Sequence, residues 1–210
     1  LEFKKHSKFR IRTILSGQHK EMVSQVMELF NLNSDNNLKI MKENQSLNYV
    51  TSSILNKLEI EFNQFKPDLV IVQGDTTTAM AASLAAFYNQ LPVAHVEAGL
   101  RTNDIYNPFP EEINRRLISQ IATLHFAPTS RSMENLISSK IKKNVYKTGN
   151  TVIDALLIAS KKELQCPFVI DKSIPNQKII LATVHRRENW GSNLEKIVIN
   201  LKKILDNDKS

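Results

Sequence analysis

The feature that most constrains this chain is a rhythm. Short apolar, β-branched runs alternate with longer amphipathic stretches, and the joints between them are short and polar. "PDLVIVQG" (residues 67–74) is a continuous apolar run bounded by Pro and Gly, the pattern of a parallel strand covered on both faces. "IRTILS" (11–16), "LKIM", "LPVAHVEA", "TLHFAPT", "NVYKTGN" and "QKIILATVH" predict further strands. Between them, "HKEMVSQVMELF" predicts a helix with Met22, Val23, Val26, Met27 and Phe30 on one face. Helices are also predicted over residues 46–65, "TTTAMAASLAAFYNQ", residues 110–122, "SRSMENLIS" behind a Thr129/Ser130 cap, "TVIDALLIAS" and "NLEKIVINLKKIL". Repeated β-α units with short loops define an α/β protein with a doubly wound, mainly parallel, Rossmann-like sheet. Such sheets bind ligands outside the carboxyl ends of their strands. Asp75, Glu97 and His185 each follow a predicted strand, so all three are expected at that edge.

Composition narrows the partners. The formal charge is +7, but the lysines are spread along the chain rather than gathered in one aromatic-interleaved stripe. That is the pattern of a solvated surface, so no nucleic-acid partner is expected, and the modest positive field suits a small phosphorylated ligand. No apolar run reaches the roughly 18 residues of a membrane span. Cys166 is the only cysteine, which precludes an internal disulfide and fits a reducing compartment. The expectation is a cytoplasmic protein without membrane contact. The start "LEFKKHSKFR" has neither an initiator Met nor an apolar segment of a secretory signal, and reads as the interior of a longer chain.

Several stretches carry ionisable or hydroxyl side chains where chemistry could occur. "VQGDTTTAM" sets Asp75, Thr76, Thr77 and Thr78 at a strand-to-helix turn; these can cap the helix, or the helix start and its hydroxyls can hold phosphate. In "HVEAGLR", Glu97 ends a strand, and the small Ala98-Gly99 pair could admit a substrate; alternatively Glu97 pairs with Arg101. "PFPEEINRR" puts Glu111 and Glu112 in a helix's first turn, where the macrodipole favours anions. Arg115, four residues after Glu111, offers either an intrahelical ion pair or an anion clamp beside a carboxylate. "ATVHRRENWG" gathers His185, Arg186, Arg187 and Glu188 after a strand, a grouping suited to phosphate. The five histidines lack close ligand spacing, so no metal is expected. His125 is expected in the core, and Cys166 lacks an activating neighbourhood.

"GDTTTAMAASLAAFYNQLPVAHVEAGLRTNDIYNPFPEEINRR", "TGNTVIDAL" and "TVHRREN" together resemble the non-hydrolysing UDP-N-acetylglucosamine 2-epimerases, in that family's order and over most of the chain. The resemblance implies interconversion of UDP-GlcNAc and UDP-ManNAc by elimination and re-addition of UDP through 2-acetamidoglucal, with no cofactor. It implies Asp75, Glu97, Glu111 and His185 as catalytic residues, with Asp75 and Glu111 moving the C2 proton. Arg115, Arg186, Thr76 and Gly99 are the expected substrate and UDP contacts. Gln18, His19 and Glu21 match a segment that lies near a second, activating UDP-GlcNAc in bacterial members.

The resemblance further implies a glycosyltransferase-B-like architecture, a homodimer at full length and a role in surface polysaccharide supply. Residues 1–149 would be the N-terminal Rossmann-like domain lacking its first strand. Residues 150–210 would be a linker helix and the first strand-helix unit of the nucleotide-binding domain. On that division the 210-residue chain alone is expected to bind UDP weakly and turn over little. The alternatives are a non-catalytic nucleotide-sugar-binding relative and a glycosyltransferase of the same architecture.

Overall fold

The computed structural model describes residues 1–17, 21–162, 180, 182–184 and 191–207. Two compact units divide the chain, Leu1–Glu163 and Leu164–Ser210. The helix read from the sequence as a linker into the second domain therefore falls within the first unit. In the second unit the described element is a helix, Ser192–Asn207 (α7).

The first unit follows the predicted alternation. After a short 3-10 helix, Glu2–Lys5, come β1 (Ile14–Leu15), α1 (Glu21–Leu29), β2 (Asn36–Asn37) and α2 (Leu47–Phe65). Then follow β3 (Val70–Gln73), α3 (Thr77–Tyr88), β4 (Val93–Val96), α4 (Glu111–Ile121), β5 (Leu124–Ala127), α5 (Ser130–Ser138), β6 (Val145–Lys147) and α6 (Thr151–Ser160). The caps are those the sequence offers. Ser46, Thr76, Thr129 and Asn150 each accept a backbone N–H in the first turn of α2, α3, α5 and α6.

All strand pairs are parallel, but the described strands form two sheets where the sequence predicts one. β3-β4-β5-β6 pair in chain order, with Gln73 opposite Val96 and His95 opposite His125. β1 pairs only with β2, and the second of these precedes the predicted "LKIM" strand by two residues. Beyond this short ladder, Leu38 N–H reaches Leu15 O at 2.8 Å and Ile40 N–H reaches Ser16 O at 3.2 Å, continuing the contact between the same two edges. Among the described residues β3 has one strand neighbour, and Ile71 on it remains 46% exposed. The described part of the predicted "QKIILATVH" strand, residues 180 and 182–184, has no strand pairing.

The main core joins α2 to the sheet through α3. Val50, Ile54, Leu58 and Phe62 line the buried face of α2, and Ala79, Ala81, Ala85 and Ala86 are buried on more than one side of α3. Alanines there let the two helices and β3 approach closely, and each buried Ile or Leu contributes about 1.5–3 kcal/mol. A second cluster, Ala98, Ala127 and Leu136, fixes α5 against the sheet. Among the described residues no helix is long and apolar enough to cross a membrane.

Candidate active site

Asp75 sits just past the carboxyl end of β3 and is held at several points. Thr76, not Asp75, caps α3, accepting from Ala79 N at 3.1 Å, so the Asp75 carboxylate is left for other work. Arg115 takes it up, donating from Nε at 3.0 Å and from Nη2 at 2.5 Å to Oδ2. Asn114 Nδ2 donates to the Asp75 carbonyl at 2.9 Å, and His95 Nε2 to the preceding Gly74 carbonyl at 2.8 Å. The turn is thus tied to both α4 and β4.

Glu97 ends the neighbouring strand and has φ +67°, the left-handed region that costs a residue with a Cβ of this size about 1–3 kcal/mol. That conformation turns its carboxylate back to Gly74, whose added Cβ would lie 3.7 Å from Oε2. Asn150, from the start of α6, donates to Glu97 Oε1 at 3.1 Å while its own side-chain oxygen caps that helix. Glu111 opens α4 after two cis peptide bonds, Asn107-Pro108 and Phe109-Pro110. It is half-buried. Asp75 and Glu97 thus follow the ends of adjacent paired strands, and Glu111 opens the helix whose Arg115 holds Asp75.

Two expectations change. Arg115 pairs with Asp75 and with Glu112, three residues before it, rather than with Glu111. Its guanidinium is spread over two carboxylates and only 9% exposed, so Arg115 holds Asp75 in this structure. Gly99 is not an opening for substrate. A Cβ there would lie 2.1 Å from the Ser132 carbonyl, so glycine serves the packing of α5. Thr76 remains exposed, but its oxygen is committed to the cap. His185, Arg186, Gln18 and His19 lie outside the described residues, as does the side chain of Glu21.

Electrostatics separates the groups. His95 is fully buried, and its proton affinity is lowered to about 4, burial outweighing the Gly74 bond. It is therefore neutral with the proton on Nε2, and Nδ1 has no partner among the described residues. His125, in register with it, is lowered in the same direction by burial. Arg101 is also lowered by burial, partly offset by Glu112. Among the described residues no group of three or more His, Cys, Asp or Glu side chains is placed to hold a metal ion.

The sequence names Glu112 only as charge in a helix's first turn, and does not single out Asn114, Asn150 or His95. Spacing could have given Glu112 its partners, because it shares a helix face with Arg115 and Arg116. The last three act through backbone carbonyls or across the fold, which no local pattern records.

A parallel α/β unit with carboxylates past the carboxyl ends of adjacent strands is a Rossmann-like domain with its ionisable groups where such folds bind ligands. The comparisons with known proteins agree. A family model described as UDP-N-acetylglucosamine 2-epimerase matches residues 1–210. The UDP-N-acetylglucosamine 2-epimerase of Neisseria meningitidis serogroup A is 47% identical over 212 residues, covering 96% of this chain and 56% of the relative. That of Bacillus subtilis is 45% identical over 206 residues, covering 98% and 54%. The crystal structure of the UDP-GlcNAc 2-epimerase from N. meningitidis bound to UDP-GlcNAc superposes with a TM-score of 0.91 at 45% identity, over 99% of this chain and 58% of that one. The chain belongs to the UDP-N-acetylglucosamine 2-epimerase family, and spans about half the length of the curated relatives it matches.

Proposed function

We propose that this chain forms the proton-transfer half of a non-hydrolysing UDP-N-acetylglucosamine 2-epimerase that interconverts UDP-GlcNAc and UDP-ManNAc. C2 of the sugar is not adjacent to a carbonyl, so removal of its proton alone leaves an unstabilised carbanion. Elimination avoids this. The C1–O bond to UDP breaks, the C2 proton passes to a carboxylate, and a C1=C2 double bond forms 2-acetamidoglucal. Return of a proton to the opposite face of C2 and attack of a UDP oxygen on C1 complete the inversion. The route needs acid/base groups on two faces of the ring and a charged environment at the leaving group.

The observation that carries this reading is the placement of Asp75 and Glu97 just past the ends of adjacent, parallel-paired strands, with Glu111 opening the helix that holds Asp75. Asp75 and Glu111 would move the C2 proton, and Glu97, held by Asn150, would orient or share it. His185 and Arg186 would meet the diphosphate. The finer assignment to the non-hydrolysing type rests on the sequence motifs.

Incubation with UDP-GlcNAc in heavy water tests it. The protein expressed with the sequence its gene places on either side of these residues is expected to exchange the C2 proton for deuterium and to generate UDP-ManNAc, both read by proton NMR. Release of free ManNAc instead of UDP-ManNAc, or C2 left fully protonated, overturns it.

A further inference from the structure

Glu112 is the most deeply buried carboxylate at this rim, with 0% of its surface exposed. An ionised carboxylate taken out of water must be fully partnered to be tolerated. Glu112 is: Oε2 accepts from Arg115 Nη1 at 3.3 Å and from the Thr102 backbone N–H at 3.0 Å, and Oε1 from Arg116 Nε at 2.7 Å. Arg115 extends the network outward, because its Nε and Nη2 carry both bonds to Asp75. Arg116 and Glu112 also grip both sides of Thr102, through its carbonyl at 3.2 Å and its N–H, in the segment that leads to Glu111.

We propose that Glu112 is a positioning residue for the proposed proton transfer, holding Arg115 on Asp75 and the segment before Glu111 in place. This rests on the reading of Asp75 and Glu111 as the proton-transfer pair. Glu112 itself touches no substrate. It fixes the guanidinium from behind, so that one planar fork is shared between a buried anchor and a reactive carboxylate. A plain structural ion network would stabilise the fold without distinguishing the two proposed acid/base groups from any other surface.

Two experiments separate these roles. In the heavy-water assay, with the protein expressed with its flanking sequence, Glu112→Gln is expected to lower kcat about 100-fold with KM within about threefold, since small misplacements at a reacting centre cost that much. Glu112→Asp is expected to recover about tenfold of it. Added to Asp75→Asn, Glu112→Gln should cost less than about a further twofold, because residues acting through one another are not additive. Additive losses, or a fall matched by Glu61→Gln at the remote Arg12–Glu61 pair, would overturn the proposal. The second experiment needs no turnover. In the 210-residue chain the Arg115 Nε–H should exchange slowly with solvent, at least about tenfold faster in Glu112→Gln, and unchanged in Glu61→Gln. An Arg115 Nε–H equally protected without Glu112 would sink it. Absence of epimerisation in the parent protein would count against the function, while this second measurement still decides the role of Glu112.

Discussion

Glu97 and Gly99 lie two residues apart, both with positive φ, and for opposite reasons. At Gly99 the cause is packing: φ is +89° and the Ser132 carbonyl occupies the space a Cβ would need. Gly99→Ala is expected to cost about 3 kcal/mol, from the left-handed backbone and the clash together, read as a lower denaturant midpoint. Glu97 has no such excuse. Its strained turn aims a carboxylate back along the rim toward Gly74, and Asn150 is the partner that steadies it. Asn150→Asp isolates this second duty. Aspartate caps a helix as well as asparagine, so stability should stay within about 1 kcal/mol of the parent. A second negative charge would then face Glu97 across the 3.1 Å contact, and C2 exchange should fall about tenfold or more. Unchanged exchange would show that Glu97 needs no such partner.

Among the elements, β4 and α4 shape the site, and they differ in how plainly the sequence announces them. β4 reads as a buried strand, but with a histidine at its centre. His95 makes that strand sensitive to acid. Its affinity for protons is about 4 in the folded chain against an ordinary value of 6.5, so unfolding takes up protons below the ordinary value. The contribution to stability is full above 6.5, is lost as the pH falls toward 4, and does not change further below it. The shift corresponds to about 3 kcal/mol, and His125 acts in the same direction. Denaturant midpoints measured from pH 7 to pH 4 should fall more steeply for the parent than for His95→Gln. Parallel curves would contradict this. α4 departs from the usual helix pattern in part: Ile118 is fully buried, but Ile113 and Leu117 are 39% and 46% exposed while Glu112, Asn114, Arg115 and Ser119 face inward. Hydrophobic periodicity finds Ile118 but misses the polar side chains buried beside it. The turn chemistry of its neighbours was legible because caps and Gly-bounded runs are local. The partner of Arg115 was not, because 40 residues separate it from Asp75.

For the molecule as a whole, the division of labour can be read from which charges are already spent. The alternation of elements, the parallel pairing and the rim of carboxylates were visible in the sequence, since each depends on period and on strand ends. The break between the β1–β2 ribbon and the four-stranded sheet was not, since it depends on which edges find partners. Within the first unit the carboxylates have their supports: Asp75 on Arg115, Glu97 on Asn150, Glu112 on two arginines. The arginines at this rim are committed to those carboxylates or, for Arg101, to the Leu100 carbonyl and Ser119. A departing diphosphate needs cationic groups of its own, and their loss typically costs about 100–1,000-fold in rate. The 210-residue chain by itself is therefore expected to fold, to bind UDP weakly, and to wash deuterium into C2 at least about 100-fold more slowly than the protein expressed with its flanking sequence. Calorimetric titration with UDP and the heavy-water assay on both forms measure this directly. Exchange by the chain alone within about tenfold of the longer form would mean that these residues already grip the leaving group, and that a cation now assigned to a carboxylate is free to do so.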